Sequence, residues 1–317
     1  MSSRYPHLSD RDILQARPAK QTVDPQRPYA FLVEPECAAS GEVVDVATVF
    51  LTNRECPFRC LMCDLWKNTT VEIVPPGAIP SQIDYALQRL PPAQHIKLYN
   101  SGNFFDAQAI PPGDHAPIIE RVRGFKTVIV ENHPKLCTDQ CVRFRDRLGT
   151  HLEVAIGLET IHPDVLQALN KRMTLDDFDR AVRFLVGHGI AVRAFILLRP
   201  PFLTEDEGVE WAIRSIDHAF RTGVGCCSVI PTRAGNGIME QLEQQGHFAP
   251  PALRSLERVA EAGLRLGQRR VFVDLWDAEK FASCAGCGPT RIERLRQMNL
   301  TQTIPPPVAC TCEPGHE

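Results

Sequence analysis

The chain has 317 residues, of which 44% are hydrophobic and 23% charged, a balance typical of a globular protein with one large α/β domain and appendages. Its formal net charge of −3 excludes a strong overall attraction to nucleic acid or anionic membranes, so a polyanionic partner would need a local basic patch. The sequence has no apolar run that could span a bilayer and no apolar signal core. We therefore expect a cytoplasmic protein with no membrane partner, whose 12 cysteines stay reduced and serve metal or redox chemistry.

Residues 1–42 form a predicted N-terminal arm that is rich in proline and polar residues. The apolar runs at 29–33 and 43–51 lie on either side of a Ser-Gly turn, so we expect them to pair as a hairpin. Residues 43–245 form the predicted core domain. Residues 246–317 form a predicted C-terminal extension that is rich in cysteine.

Strand-like and helix-like runs alternate through the core domain. Apolar and β-branched residues predict six strands, at 43–51, 95–99, 127–130, 152–156, 190–198 and 224–230. Helical spacing separates them, with expected N-caps at Ser81, Thr138, Thr174 and Thr204. Strands joined by helical crossovers run parallel, and six such steps are fewer than the eight of a closed barrel. We therefore predict an α/β fold, an open partial (β/α)6 barrel with its active site at the carboxyl ends of the strands.

Three cysteines follow the first of these strands. Cys56, Cys60 and Cys63 have the spacing C-x3-C-x2-C. Thiolates are the usual ligands of iron–sulfur clusters, and three of them can hold three irons of a four-iron cube and leave the fourth open to a small chelating molecule. A zinc knuckle and plain buried thiols are the alternative interpretations. A zinc knuckle is disfavoured because structural zinc needs four ligands, usually in C-x2-C or C-x4-C pairs with further His or Cys partners. Buried thiols are disfavoured because cysteines in a core are scattered and rarely clustered with proline and arginine between them.

This spacing is the signature of the radical S-adenosylmethionine (SAM) enzymes, and the chain resembles that superfamily. The resemblance implies that Cys56, Cys60 and Cys63 hold a [4Fe-4S] cluster whose open iron binds SAM. It also implies a one-electron reductant, such as flavodoxin or ferredoxin, and cleavage of SAM to a 5′-deoxyadenosyl radical that abstracts hydrogen from the substrate. Radical SAM domains are usually partial (β/α)6 barrels, which agrees with the independent count of strands.

Polar residues at the ends of the later strands are the candidates for the SAM or substrate pocket. The second strand runs into Asn100, Ser101, Gly102 and Asn103, where radical SAM proteins commonly have a glycine-rich segment that holds the amino group of SAM. Glu131 is the candidate contact to the ribose, and Glu159 is expected near the cofactor or substrate. Arg199 could meet a carboxylate. Met62 stands where many radical SAM proteins have an aromatic residue near adenine, and it can give only an apolar contact. Ordinary turns and surface carboxylates are the alternative interpretations of these residues.

Several short segments resemble a narrower group. Gly-Leu-Glu-Thr at 157–160 is similar to a segment of the branch that contains the Elongator catalytic subunit and the methylthiotransferases. Together with residues 99–106, 169–171, 195–203 and 231–232, it resembles the radical SAM subunit of archaeosine synthase. That resemblance implies action on a lysine-bearing 7-deazaguanine in tRNA, with a tRNA-modifying partner enzyme.

Two other functions remain open from the sequence. One is a radical SAM enzyme that acts on a small metabolite or peptide, and the other, of a different class, is a non-catalytic protein that binds an iron–sulfur cluster or zinc. A basic surface would favour tRNA. The candidates for such a surface are interspersed with acidic residues; they are Arg254, Arg258, Arg265, Arg269, Arg270, Arg291, Arg294 and Arg296.

The C-terminal extension carries a second group of cysteines. Cys284 and Cys287 form a C-x2-C pair, and Cys310 and Cys312 form a C-x-C pair. Four thiolates suit a tetrahedral zinc ion or an auxiliary iron–sulfur cluster, and the sequence does not choose between them. We expect this metal to fasten the short extension to the barrel, since a bound metal can supply folding energy that a small core cannot.

Overall fold

The computed structural model describes residues 5–6, 8–267, 269–310 and 312. An eight-stranded sheet forms its centre, and the strands follow one another across the sheet in chain order. They are β1 (Ala30–Cys37), β2 (Val43–Phe50), β3 (His95–Tyr99), β4 (Thr127–Asn132), β5 (His151–Glu159), β6 (Ala191–Leu198), β7 (Cys226–Pro231) and β8 (Arg270–Val273).

The sheet is a curled half-barrel that is parallel except at its N-terminal edge. β1 runs antiparallel to β2, as the predicted hairpin requires. Every later neighbour, from β2 to β8, pairs in parallel. The predicted α/β partial barrel is therefore confirmed, with β2 to β7 as its six strands. β8 lies in the predicted extension and adds a further parallel strand, while the domain boundary near residue 245 stays a prediction.

Ten α-helices of the described chain accompany the sheet. They are α1 (Asp10–Ala16), α2 (Ala78–Leu87), α3 (His115–Val122), α4 (Asp139–Leu148), α5 (Pro163–Ala168), α6 (Leu175–Gly187), α7 (Glu205–Thr222), α8 (Ile238–Gln244), α9 (Leu253–Arg265) and α10 (Gly288–Thr301). Apolar side chains on one face of each crossover helix pack on the sheet, as Phe178, Val182 and Leu185 of α6 do. No helix of the described residues is long and apolar enough to cross a membrane.

Three of the four predicted caps are correct. Thr138, Thr174 and Thr204 each accept a hydrogen bond from a backbone N–H in the first turn of the following helix. The prediction for Ser81 is wrong, because α2 begins three residues earlier, after Gly77. Gly77 adopts a left-handed conformation that glycine allows without strain. Ser81 instead donates its hydroxyl to the Gly77 carbonyl.

A buried network of charges lies among strands β1, β3, β5 and β6. The Arg193 guanidinium donates to Glu153 and to Glu36, each at 2.6 Å, and Lys97 pairs with Glu36 at 2.6 Å. Burial alone would raise the pKa of Glu36, but Arg193 and Lys97 outweigh it and hold that pKa well below the usual range. The charge of Arg193 is thus paired within the protein, and the network fills the interior away from the carboxyl ends of the strands.

Candidate functional site

The three cysteines of the C-x3-C-x2-C motif lie in the long segment between β2 and α2, beyond the carboxyl end of β2. Asn103, from the segment after β3, donates its side-chain N–H to Cys56 Sγ at 3.1 Å. Burial raises the pKa of Cys60 to about 12, with Lys171 opposing the shift, and it also raises the pKa of Cys63. Free thiols here therefore stay protonated at neutral pH. A metal ligated at this position would have to displace those protons.

The motif segment is held in place by amide side chains from distant parts of the chain. Asn236 donates to the carbonyl oxygens of Leu61 at 2.8 Å and Cys63 at 3.2 Å. Asn170 donates to the Arg59 carbonyl at 2.8 Å. These bonds satisfy backbone groups that an irregular segment would otherwise leave unpaired. Asn170 lies in the segment 169–171 that carries the resemblance, but neither asparagine was a predicted site residue. No local pattern could have identified Asn236, whose partners lie more than 170 residues earlier.

Glu131, at the end of β4, organises the glycine-containing turn after β3. Its Oε1 accepts the backbone N–H of Asn100 at 2.6 Å and that of Gly102 at 3.3 Å. Burial raises the pKa of this carboxyl to about 7, although the same N–H donors act in the opposite direction. A Cβ at Gly102 would lie 3.3 Å from Cys56 Cβ, so the turn and the motif approach closely. The predicted contact of Glu131 to a ribose remains a prediction.

The side chain of Asn100 provides a test of whether this region suits a bound cofactor. Both its nitrogen and its oxygen are buried, and no residue of the described chain gives either a hydrogen-bond partner. A buried amide without partners costs free energy. The turn that contains it also includes Ser101, whose hydroxyl lies 3.0 Å from that of Tyr29. Unused hydrogen-bonding capacity beside three clustered thiols fits a site that takes up a polar small molecule.

A buried ion pair lies at the end of β5. Lys171 Nζ is 2.5 Å from Glu159 Oε1, and each side chain is only 8% exposed. Glu159 has a φ of +64°, a conformation that costs a non-glycine residue free energy and is typical of functional sites. A side chain at Gly157 would collide with both charged groups. Burial alone would lower the pKa of Lys171. Glu159 and Cys60 raise it by more than burial lowers it, so the pKa of Lys171 lies above its usual value.

His133 links this ion pair to the cysteine motif. Its Nε2 lies 3.1 Å from the Lys171 carbonyl, and its ring stacks on Phe58, between the first two cysteines, with centroids 3.8 Å apart. Burial and the neighbouring Lys171 lower the pKa of His133 to about 3. The ring is therefore neutral and acts as a packing and hydrogen-bonding group. Lys171 lies in the segment 169–171 that carries the resemblance, but neither Lys171 nor His133 was predicted as a site residue.

Two further predicted residues are engaged with protein groups. Arg199, at the end of β6, donates to Glu205 at 2.6 Å and to the Pro250 carbonyl at 2.8 Å. Met62 packs, half-buried, against an apolar cluster that includes Met239. The structure thus brings the segment 100–103 against the cysteine motif, with Glu131 holding the segment, while the charge of Arg199 is already paired. The roles of Arg199 and Met62 at a cofactor remain predictions.

Three of the arginines that were candidates for a basic surface are turned inward. Arg291 and Arg294 are buried and pair with Glu257. Arg270 is also drawn inward, to Glu153 at 3.1 Å. Their proposed membership of an exposed basic patch is therefore wrong, because buried carboxylates on neighbouring elements bind them.

The four cysteines of the extension lie together, as their spacing predicts. Their sulfur atoms are all within 4.8 Å of one another. The group lies beside the start of α10, since Cys287 is the residue immediately before that helix. Leu253 and Arg254, at the start of α9, line the space next to it.

No family model matches the chain, but individual proteins do. Archaeosine synthase subunit beta of Methanosarcina acetivorans is 26% identical over 272 residues, which covers 80% of this chain and 77% of that protein. An uncharacterised protein of Methanocaldococcus jannaschii is 23% identical over 309 residues, or 90% of this chain and 84% of the relative.

Two solved structures have folds similar to that of this chain. Methylornithine synthase has a TM-score of 0.54 and 12% identity, covering 93% of this chain and 81% of its own. Elp3 of the archaeon Methanocaldococcus infernus has a TM-score of 0.52 and 14% identity, covering 70% of this chain and 58% of its own. The predicted resemblance to the radical SAM superfamily and to archaeosine synthase is therefore confirmed, and the fold is the one that these enzymes share.

Proposed function

We propose that this chain is a radical SAM enzyme that acts on a lysine-bearing 7-deazaguanine in tRNA. The observation that carries the proposal is the position of Cys56, Cys60 and Cys63 beyond the first parallel strand of a radical SAM fold. Asn103 connects the motif directly to the turn that Glu131 organises. The similarity to archaeosine synthase subunit beta supports the choice of substrate.

Cys56, Cys60 and Cys63 would hold a [4Fe-4S] cluster. When loaded with SAM and reduced by one electron, such a cluster would supply reductive cleavage of SAM to methionine and a 5′-deoxyadenosyl radical, which would abstract hydrogen from the substrate. The electron would come from a small reductant of the flavodoxin or ferredoxin type. The protein's own contribution is to bind, orient and exclude water, as is general for cofactor enzymes.

The turn after β3 would bind the polar part of SAM. Asn100 offers an unpaired buried amide, and Ser101 and Gly102 offer backbone groups close to the motif. Glu131, already bonded to this turn, keeps its second carboxylate oxygen for a ribose hydroxyl. Met62 would give an apolar contact to the adenine.

Glu159 would line the same pocket, and Lys171 would balance its charge. This balance matters because an unpaired charge in a buried site is costly. Arg199 would meet a carboxylate of SAM or substrate only by exchanging its present partner, Glu205. In this proposal the protein works in the cytoplasm, with a tRNA-modifying partner enzyme, and carries a second metal on its C-terminal cysteines.

The substrate is tested with two tRNAs that differ only at the modified base. One carries the lysine-bearing 7-deazaguanine, and the other carries guanine at that position. Each is incubated anaerobically with enzyme, SAM and reductant, and the nucleosides are analysed by mass spectrometry. We expect loss of the lysine-bearing nucleoside only with wild-type enzyme, and no change with the Cys60→Ala variant. An unchanged modified nucleoside, in reactions that do cleave SAM, would refute this substrate and favour a small metabolite or peptide.

A further inference from the structure

We propose that Cys284, Cys287, Cys310 and Cys312 bind one tetrahedral zinc ion that locks α10 onto the free edge of β8. This site lies outside the radical chemistry proposed above and does not depend on it.

The spacing of the sulfur atoms identifies the kind of metal centre. Cys284 Sγ lies 3.9 Å from Cys310 Sγ, and Cys287 Sγ lies 3.7 Å from Cys312 Sγ. Four thiolates at the usual Zn–S distance form a tetrahedron with an edge of about 3.8 Å. A cluster of several irons places metal and sulfide ions between its thiolates and needs a wider spacing. All four sulfurs lie within 4.8 Å of one another, so they fit a single ion.

The surroundings of the sulfurs suit a negatively charged centre. Arg291, one turn into α10, donates its Nε–H to Cys287 Sγ at 3.4 Å. The same guanidinium pairs with Glu257 of α9, which fixes its orientation. Zinc with four thiolates carries a net charge of about −2, so a donor and cation at this position stabilise the centre as outer partners of metal ligands do.

The ligands come from both sides of α10. Cys284 and Cys287 precede the helix, and Cys310 and Cys312 follow it after a chain reversal. That reversal is fixed by Arg294, which donates to the carbonyl oxygens of Pro305 at 2.7 Å and Pro306 at 2.8 Å. A metal at this point would therefore close a loop around the whole helix.

α10 covers the backbone of the last strand of the sheet. Asn299 accepts from Val273 N–H and donates to the Val273 carbonyl, both at 2.9 Å. Gln302 does the same at Val271, at 2.8 and 3.1 Å. The two amide side chains thus take the place of a ninth strand on an edge that would otherwise be open to pairing with another chain.

α10 also contacts β1, the opposite edge strand of the half-barrel. Its own apolar face is small, with Leu295 and Met298 as the fully buried apolar side chains among its described residues. Metal binding releases free energy that is available to folding. The zinc ion would therefore supply the stability that this helix needs in order to stay on the sheet.

Metal analysis of the anaerobically purified full chain tests the site. We expect one zinc ion per chain in wild type and in a Cys56→Ala/Cys60→Ala/Cys63→Ala variant, which removes the radical motif. We expect none in Cys310→Ser/Cys312→Ser, and one in the control Cys137→Ser, whose sulfur lies outside both groups. The Cys56→Ala/Cys60→Ala/Cys63→Ala variant separates the two proposals. If it binds zinc, the zinc site forms whether or not the radical SAM proposal is correct.

Hydrogen exchange tests the role. In Cys310→Ser/Cys312→Ser, and in wild type stripped of zinc by a chelator, the amides of Val271 and Val273 should exchange at least about tenfold faster. Unchanged exchange in β4, at the centre of the sheet, would show that each sample is still folded. Iron in place of zinc, thiols oxidised to disulfides in a metal-free native protein, or unchanged exchange in β8 after zinc loss would each overturn the proposal.

Discussion

Replacing Lys171 with methionine should destabilise the protein strongly, because it leaves the buried carboxylate of Glu159 without its partner. The two groups are 2.5 Å apart and each is 8% exposed. Removing one member of a buried ion pair costs about 3–5 kcal/mol, whereas losing an exposed pair costs at most about 1 kcal/mol. Lys280 provides a matched control, since it pairs with Asp277 and is 67% exposed.

Urea unfolding of wild type, Lys171→Met and Lys280→Met, at equal iron and zinc content, measures these differences. We expect the free energy of unfolding to fall by about 3–5 kcal/mol in the first variant and by less than about 1 kcal/mol in the second. Equal metal content is needed because bound metal stabilises the folded state by itself.

A double variant separates loss of the pair from loss of packing. Glu159→Gln keeps the shape of the side chain but removes its charge, so Lys171→Met/Glu159→Gln should be more stable than Lys171→Met alone. The reasoning is refuted if Lys171→Met behaves like Lys280→Met, or if removing the second charge restores no stability.

Three further predictions concern other parts of the site and the fold. Burial raises the pKa of Glu131 to about 7, so its stabilising contribution is complete below the pKa of an unfolded carboxyl and is lost as pH rises towards 7. Urea unfolding at several pH values measures how much more stable wild type is than Glu131→Gln. This difference in unfolding free energy should fall as pH rises from 5 to 7, by up to about 1.4 kcal/mol per pH unit. A constant difference would contradict this. Asn103→Ala removes the N–H that bonds Cys56 Sγ. If Cys56 ligates the proposed [4Fe-4S] cluster, this bond offsets charge on the sulfur, so its loss should lower the reduction potential of the cluster by roughly tens of millivolts in an EPR-monitored titration. An unchanged potential would count against the contact. Asn299→Ala leaves two backbone groups of β8 unpaired and should cost about 1–3 kcal/mol, whereas Gln297→Ala, on the exposed side of the same helix, should cost much less; equal effects would argue against the edge contact.

The alternation of strands and helices was readable from the sequence because it depends on local patterns. Each of these patterns lies within a short segment of the chain. They are the β-branched runs, the capping residues such as Thr174 and Thr204, and the spacing of the cysteine motif. The barrel then places the ends of parallel strands together by geometry alone. This is why the segment 100–103 could be predicted beside the cysteine motif although more than 35 residues separate them.

The features that were missed depend on contacts between distant residues. α10 was not predicted. Its inward face carries Arg291 and Arg294, which a local pattern assigns to solvent, although both are buried against Glu257 of another helix. The Glu159–Lys171 pair joins a strand to a loop, and Lys171 reads locally as a surface lysine. Ser81 was a plausible cap by residue type, but the conformation of Gly77 sets the start of α2.

Reductive cleavage of SAM tests the central claim most directly. The chain is purified anaerobically, its iron–sulfur cluster is reconstituted and confirmed by spectroscopy, and SAM and a strong one-electron reductant are added. We predict formation of 5′-deoxyadenosine by wild type and its absence in Cys60→Ala. A wild-type protein with an intact cluster that forms no 5′-deoxyadenosine, alone or with the modified tRNA, would contradict the account.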